Sequence, residues 1–279
     1  MKKLKEFFYI AKKIIILDLR SRRPIALIGA SGLLLSLLRI ALGLMSWFFI
    51  GKIYYRDVLI DYKMDYSSFI LLGIIISNLF DYFRGLGSRL PYLPYSRGYL
   101  RIKMSRSCSF IFILSVEFYG LIEHLIWIIL QGLIAFTFFG ITIPFSKGLL
   151  VALFFTMLGL VNETCLYMIL SCLPIVYSKL RYQDQFMHKT IASLSIAFST
   201  TYYPLEAIPS SLRPCILIFP RAVTLECIRL SLAENYSRLI NYVLALIIHS
   251  LLLPTIAYFL FKKTSRKAEE EGLRYLRPL

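Results

Sequence analysis

Residues 148–177 read GLLVALFFTMLGLVNETCLYMILSCLPIVY, a stretch whose sole charged residue is Glu163. About 18 or more nearly uncharged residues in a row suffice to cross a bilayer. Lipid offers the backbone no hydrogen-bond partners, so a crossing segment must be a helix or a strand of a closed barrel. A barrel strand reads as about ten residues of alternating polarity. This stretch does not alternate, so the chain is read as an all-α, polytopic membrane protein.

Working outward, comparable apolar runs occupy 24–51, 66–83, 108–144, 186–203 and 239–261, giving six expected spans with 148–177. They account for a composition that is 58% hydrophobic over 279 residues. A soluble domain of this size cannot hide that much apolar surface. A further apolar stretch, 205–232, is broken by Pro209, Pro214 and Pro220 and carries Glu206, Arg213, Arg221, Glu226 and Arg229. It is read as a re-entrant helical hairpin that dips into one face before the last span.

The net charge of +16 suggests nucleic acid at first sight, but its distribution follows membrane topology. Segments 1–23, 84–106, 179–189 and 262–279 together hold 23 Lys and Arg, and the alternate segments 52–66, 147 and 213–238 hold 8. Lys and Arg mark the cytoplasmic side. Both termini are therefore expected inside and the hairpin outside, with no nucleic-acid partner. Residues 1–23 suit a helix lying on the membrane: Leu4, Phe7, Phe8, Ala11, Ile14 and Ile15 share one face, with Lys2, Lys5, Lys12, Lys13 and Arg20 opposite. The expected organisation is this interfacial helix, a transmembrane domain over 24–263 and a cytoplasmic tail over 264–279.

Catalytic and metal signatures are missing. Gly51-Lys52 lacks the partner glycine of a phosphate-binding loop. His124, His188 and His249 lie on three separate segments, and the five cysteines contain no Cys-x-x-Cys pair. Cys215 and Cys227 fall in the hairpin, where free thiols are expected over a bridge. No catalytic or metal residue is assigned. Charge inside the spans is costly and marks function or an interhelical ion pair. The candidates are Arg39, Glu117, Glu123 and Glu163. Arg39 is expected to face the bundle interior, with Glu123 or Glu163 as its partner and Glu117 as the next choice.

The order of these parts resembles the permeases of ABC-type exporters of the polysaccharide and drug export class. The most specific similarity is Tyr203-Pro204-Leu205-Glu206-Ala207-Ile208-Pro209, followed by Leu212, Pro220 and Arg229. Arg97-Gly98-Tyr99-Leu100 is similar to the polar-Gly-Thr-Leu-Glu segment of that family, although Tyr99 replaces a small hydroxyl residue and Arg101 stands where an acid is usual. Lys267-Ala268 before Gly272-Leu273 resembles the family's closing helix.

The resemblance implies a permease subunit that forms the substrate pathway. It implies a second permease subunit beside it, and separate ATPase subunits that hold ATP and Mg. The ATPase is expected to dock on the loop 84–106, with Tyr95, Arg97, Gly98, Tyr99, Leu100 and Arg101 at the contact. Gly85, Gly87, Pro91 and Pro94 are expected to keep the first half of that loop out of regular helix, and residues 99–107 to form a short helix. A secondary transporter and an integral-membrane lipid-modifying enzyme are the alternative readings.

Overall fold

The computed structural model describes residues 60–95, 148–177, 180 and 183–276, with scattered positions between 121 and 137. All regular structure among them is helical. The scattered positions between 121 and 137 are helical, and five further α-helices are delimited: α1 (Tyr66–Arg89), α2 (Gly148–Val176), α3 (Asp184–Ala197), α4 (Pro220–Leu232) and α5 (Tyr236–Leu276). Short 3-10 turns stand at Ile60–Tyr62, Leu90–Tyr95, Leu205–Ala207 and Arg213–Ile218. The interfacial helix expected at 1–23, the run 24–51 and most of 108–144 lie outside the described residues.

Three helices are long and apolar enough to cross a membrane, over Tyr66–Tyr95, Gly148–Val176 and Tyr236–Glu270. A multi-pass membrane protein follows. These three run in the same direction. Asn162 of α2 bonds Ser250 of α5 at 2.9 Å, and further along Lys267 of α5 donates to the Ile175 carbonyl at 2.7 Å. Contacts at matching distances from both N-termini require parallel axes. α4 runs against them: its end, at Ser231, meets the beginning of α2 at Gly148, and its earlier residue Thr224 meets Gly159. Along α1 the order is likewise reversed, with Arg229 at Phe69 and Arg221 at Asp81.

Local chemistry sets the ends of these helices. Asp65 caps α1 by accepting from the Ser68 amide, which satisfies one of the free donors of the first turn. Pro220 opens α4, where its missing N–H costs nothing and its fixed φ is already helical. α3 ends at Ala197, so the apolar run 186–203 is not one helix. Residues 198–204 continue without regular helix, and Tyr202 receives the Tyr66 hydroxyl on its carbonyl at 2.9 Å. The chain then reaches the end of the bundle where α1 and α5 begin, and there Glu206 pairs with Arg238 at 3.2 Å. It turns inward through Arg213–Ile218 and comes back as α4.

All 13 residues of α4 are buried, although it carries Arg221, Thr224, Glu226, Arg229 and Ser231. At 1.5 Å per residue it is about 20 Å long, short of the roughly 30 Å hydrocarbon core. It is a polar helix enclosed by α1, α2 and α5, while the outward faces of α2 and α5 expose large apolar side chains such as Leu150, Met157, Ile240 and Leu251.

One expectation is corrected. Gly85 and Gly87 do not break the chain, because α1 continues regularly to Arg89 and only then tightens into the 3-10 turn that contains Pro91 and Pro94. A glycine within a helix costs only about 1 kcal/mol relative to alanine, and packing offsets it here. Gly87 lies against the Thr164 backbone of α2 with no room for a Cβ, whereas a Cβ on Gly85 would meet open space. Gly87→Ala is therefore expected to cost about 1–3 kcal/mol from overpacking, and Gly85→Ala to gain up to about 1 kcal/mol. Thermal unfolding of the two variants in detergent checks this. Equal effects would show that the α1–α2 approach is not tight.

Candidate functional site

The site is built where helix gives way to extended chain between α3 and α4. Thr200 has φ 53, a left-handed conformation that a β-branched residue adopts only at a cost of order 1–3 kcal/mol. The turn aims the carbonyls of Thr200 and Thr201 at Arg229 of α4. Arg229 Nη1 donates to the Thr200 carbonyl at 2.6 Å and to its hydroxyl at 3.3 Å. Nη2 donates to the carbonyls of Phe69 at 3.0 Å and Thr201 at 3.2 Å. The guanidinium carbon lies 3.5 Å from the centre of the Phe69 ring, a flat stacking that a lysine could not reproduce. Gly73, one turn beyond Phe69, makes the space: a Cβ there would sit 2.7 Å from Arg229 Nη2.

Arg229 is fully buried, and its countercharge comes from its own helix. Glu226 Oε1 is 3.8 Å from Nη1, and Oε2 accepts the Tyr62 hydroxyl at 3.0 Å. Burial pushes Glu226 above the ordinary carboxylate range, with Arg229 pulling the other way. Burial, then the charge of Glu226, pushes the Tyr62 phenol up as well. The unit therefore joins the turn before α1, α1 itself, the broken segment and α4 through one cation.

A second cluster lies deeper. Arg221 Nη1 is 2.9 Å from Asp81 Oδ1, and Arg84 Nη1 is 3.3 Å from the same oxygen. Arg221 Nη2 donates to the Ser77 carbonyl at 3.1 Å. Glu163 is fully buried nearby, and among the described residues neither of its carboxylate oxygens has a hydrogen-bond partner. At the opposite end, Arg238 bridges Asp61 at 2.7 Å and Glu206. Between the broken segment and the inward turn, Phe198, Tyr203, Ile208, Pro209 and Leu212 line an open apolar recess of about 320 Å³.

Of the residues the sequence singles out, Arg229 lies in this buried unit, Glu206 pairs with Arg238 at the end where α1 and α5 begin, and Pro220 opens α4 at its other end. Pro204 is extended and precedes the turn Leu205–Ala207, and Pro209 borders the recess. Cys215 and Cys227 are both free thiols. Tyr95 closes the 3-10 turn after α1. Arg39, Glu117, Glu123, Arg97, Gly98, Tyr99, Leu100 and Arg101 lie outside the described residues. The sequence reading missed Phe69, Gly73, Thr200 and Thr201 as partners of Arg229. One signal was available: Thr200-Thr201-Tyr202-Tyr203 before Pro204 joins β-branched and aromatic residues to a pre-proline position, which favours extended chain over helix. Among the described residues no cluster of His, Cys, Asp and Glu could hold a metal ion.

Arg229→Met leaves the buried carbonyls of Thr200 and Thr201 without their donor and Glu226 without its countercharge, and is expected to destabilise by about 3–5 kcal/mol. Arg229→Lys keeps the charge but cannot span the carbonyls, so its loss should lie between that and wild type. Arg238→Met, at a half-exposed pair, should stay within about 1 kcal/mol. Thermal unfolding of the three variants in detergent ranks them, and equal effects at 229 and 238 would remove Arg229 from its organising role.

No protein-family model matches this chain, and no curated protein matches it in sequence.

Proposed function

We propose that this chain is the membrane-spanning permease subunit of an ATP-driven exporter of the ABC type. It has six spans, both termini in the cytoplasm, and the hairpin Leu205–Leu232 dipping in from the outer side. It forms the substrate pathway together with a second permease subunit in the lipid bilayer. ATP and Mg are held by separate ATPase subunits that dock on the cytoplasmic loop 84–106.

The observation that carries this reading is the broken segment and its hairpin, clamped by Arg229. Interrupted helices whose free carbonyls are buried in protein at membrane depth are characteristic of transport pathways. Here the interruption coincides with the stretch Tyr203–Pro209, Pro220 and Arg229 that resembles the exporter permeases. Direction adds support. α1, α2 and α5 run the same way, so the chain must return between each successive pair, and six crossings accommodate that. Arg84, Arg89, Lys262, Lys263, Arg266 and Lys267 lie toward the C-terminal ends of α1 and α5, the ends that the positive-inside rule assigns to the cytoplasm. Asp61 and Asp65 lie at the other end.

The loop also suits docking. Tyr92 and Tyr95 are exposed on the turn that follows α1, in a segment rich in arginine. A secondary transporter is the second reading, favoured by the buried carboxyl of Glu163 in a spanning helix, which has no hydrogen-bond partner among the described residues. The two readings separate on energy source. Affinity purification of the tagged full chain from its host membrane should bring down an ATPase subunit and vanadate-sensitive ATP hydrolysis. Combined Tyr95→Ser, Tyr99→Ser and Leu100→Ser should release that subunit while leaving membrane insertion intact, because no positive charge is removed. Transport by the isolated chain in liposomes, driven by an ion gradient without ATP, would replace the exporter reading with the secondary transporter.

A further inference from the structure

Two arginines converge on one carboxylate oxygen at the inner tip of the hairpin. Arg221 opens α4, and its Nη1 lies 2.9 Å from Asp81 Oδ1. Arg84, one turn along α1, lies 3.3 Å from the same atom. The Asp81 side chain is 38% exposed and that of Arg221 only 3%. Arg221 Nε is buried without a hydrogen-bond partner among the described residues.

Across the tip stands a second acid. Thr224 packs on Gly159 where α4 crosses α2. Because the two helices are antiparallel, stepping back one turn on α4 to Arg221 and forward one turn on α2 to Glu163 moves in the same direction. Glu163 therefore stands on the side of α2 that faces the Arg221 end of α4. The Arg84 guanidinium lies 5.9 Å from the ring centre of Tyr167, one turn beyond Glu163. The cluster thus holds two acids and two arginines, shared unevenly. Asp81 takes both cations, and Glu163 takes none among the described residues although it is wholly buried. A buried carboxyl left unpaired is unfavourable, and an arginine that reached it would relieve the cost.

We propose that Arg221 is a two-position clasp, held by Asp81 of α1 in this state and by Glu163 of α2 in another, with Arg84 selecting between them by competing for Asp81. In this state Asp81 shares itself between Arg221 at 2.9 Å and Arg84 at the longer 3.3 Å, and the hairpin tip is fastened to α1. When Arg84 closes fully on Asp81, Arg221 crosses to Glu163 and the tip is fastened to α2. Both states pair every arginine with an acid, and no intermediate position does, so the element has discrete arrangements of the kind that transmit conformational change. Arg84 sits one turn and a half before the turn Leu90–Tyr95, so a push on that turn would reach the hairpin through it. That last link rests on the ATPase-docking reading of the loop; the clasp itself does not.

The test uses the full chain in detergent, with Asp81→Asn, Glu163→Gln and the double variant compared by thermal unfolding. Asp81→Asn should lower the midpoint only slightly, because Glu163 then holds Arg221, and Glu163→Gln should leave it unchanged or raise it, because it removes a buried carboxyl that has no partner among the described residues. The double variant should lose more than the sum of the two, or fail to fold where both singles fold. Additive losses overturn the proposal, and so does an Asp81→Asn variant that fails to fold while Glu163→Gln is neutral, since Glu163 then does not replace Asp81. Hydrogen exchange of the amides at 213–219 in Arg84→Gln gives an independent readout. Removing the competitor should slow exchange by fastening the tip on Asp81, and unchanged or faster exchange would assign Arg84 a packing role alone and overturn the selection step. Neither measurement needs an ATPase, so failure of the clasp is distinguishable from failure of the exporter reading.

Discussion

A chain that stops being helical inside an apolar bundle leaves carbonyls that nothing in lipid can satisfy, and each unsatisfied group costs several kcal/mol. In this protein a single guanidinium answers that constraint. Arg229 bonds the carbonyls of Thr200, Thr201 and Phe69, which fixes the turn after α3, the start of α1 and the far end of α4 relative to one another. The planar fork explains why the residue is arginine: it reaches three acceptors and stacks on Phe69 at once. The left-handed Thr200 is tolerated because its carbonyl is bound where that conformation points it.

The rest of the described architecture follows from admitting a polar helix to the centre. α4 lies wholly inside, so its neighbours must come close enough to exclude lipid and supply partners. Glycines on α1 and α2 allow that approach, with Gly73 beside Arg229 and Gly159 against Thr224, as small residues do at helix contacts in membranes. The hydroxyls of the segment are absorbed locally: Thr224 donates to the Pro220 carbonyl and Ser231 to that of Cys227. Charge is balanced in place by Glu226 and Asp81. The apolar surface that a soluble protein would bury is instead turned outward on α2 and α5.

Two features of the bundle bear on a transport role in complementary ways. The Arg229 unit is fully buried and multiply bonded, which suits a fixed pivot. The Arg221 tip is held through a partly exposed Asp81 that it shares with Arg84, which suits a movable contact. A hairpin anchored at one end and lightly held at the other can tilt without unfolding.

How much of this is legible in the residues alone varies with the physics involved. Length and apolarity sufficed to find the long helices, because burial in lipid depends on local composition: Gly148–Val176 lies where its hydropathy put it, whereas Tyr236–Leu276 runs well past the apolar run 239–261. The prolines at 209, 214 and 220, with charge between them, marked 205–232 as a segment that could not cross, since Pro and charge act at their own positions. Other features were not local. Gly85 and Gly87 read alike in sequence, and only the neighbouring Thr164 backbone distinguishes them. The run 186–203 reads as one helix, yet it opens after Ala197 because Arg229, some thirty residues on, supplies donors that make extended chain affordable there. The sequence by itself therefore determined a helical membrane chain and the apolar cores of its long helices. Which charges meet, and which acid is left without a partner, only the tertiary structure decided, because ion pairs between distant segments depend on the register at which helices pack and leave no periodic trace in either one.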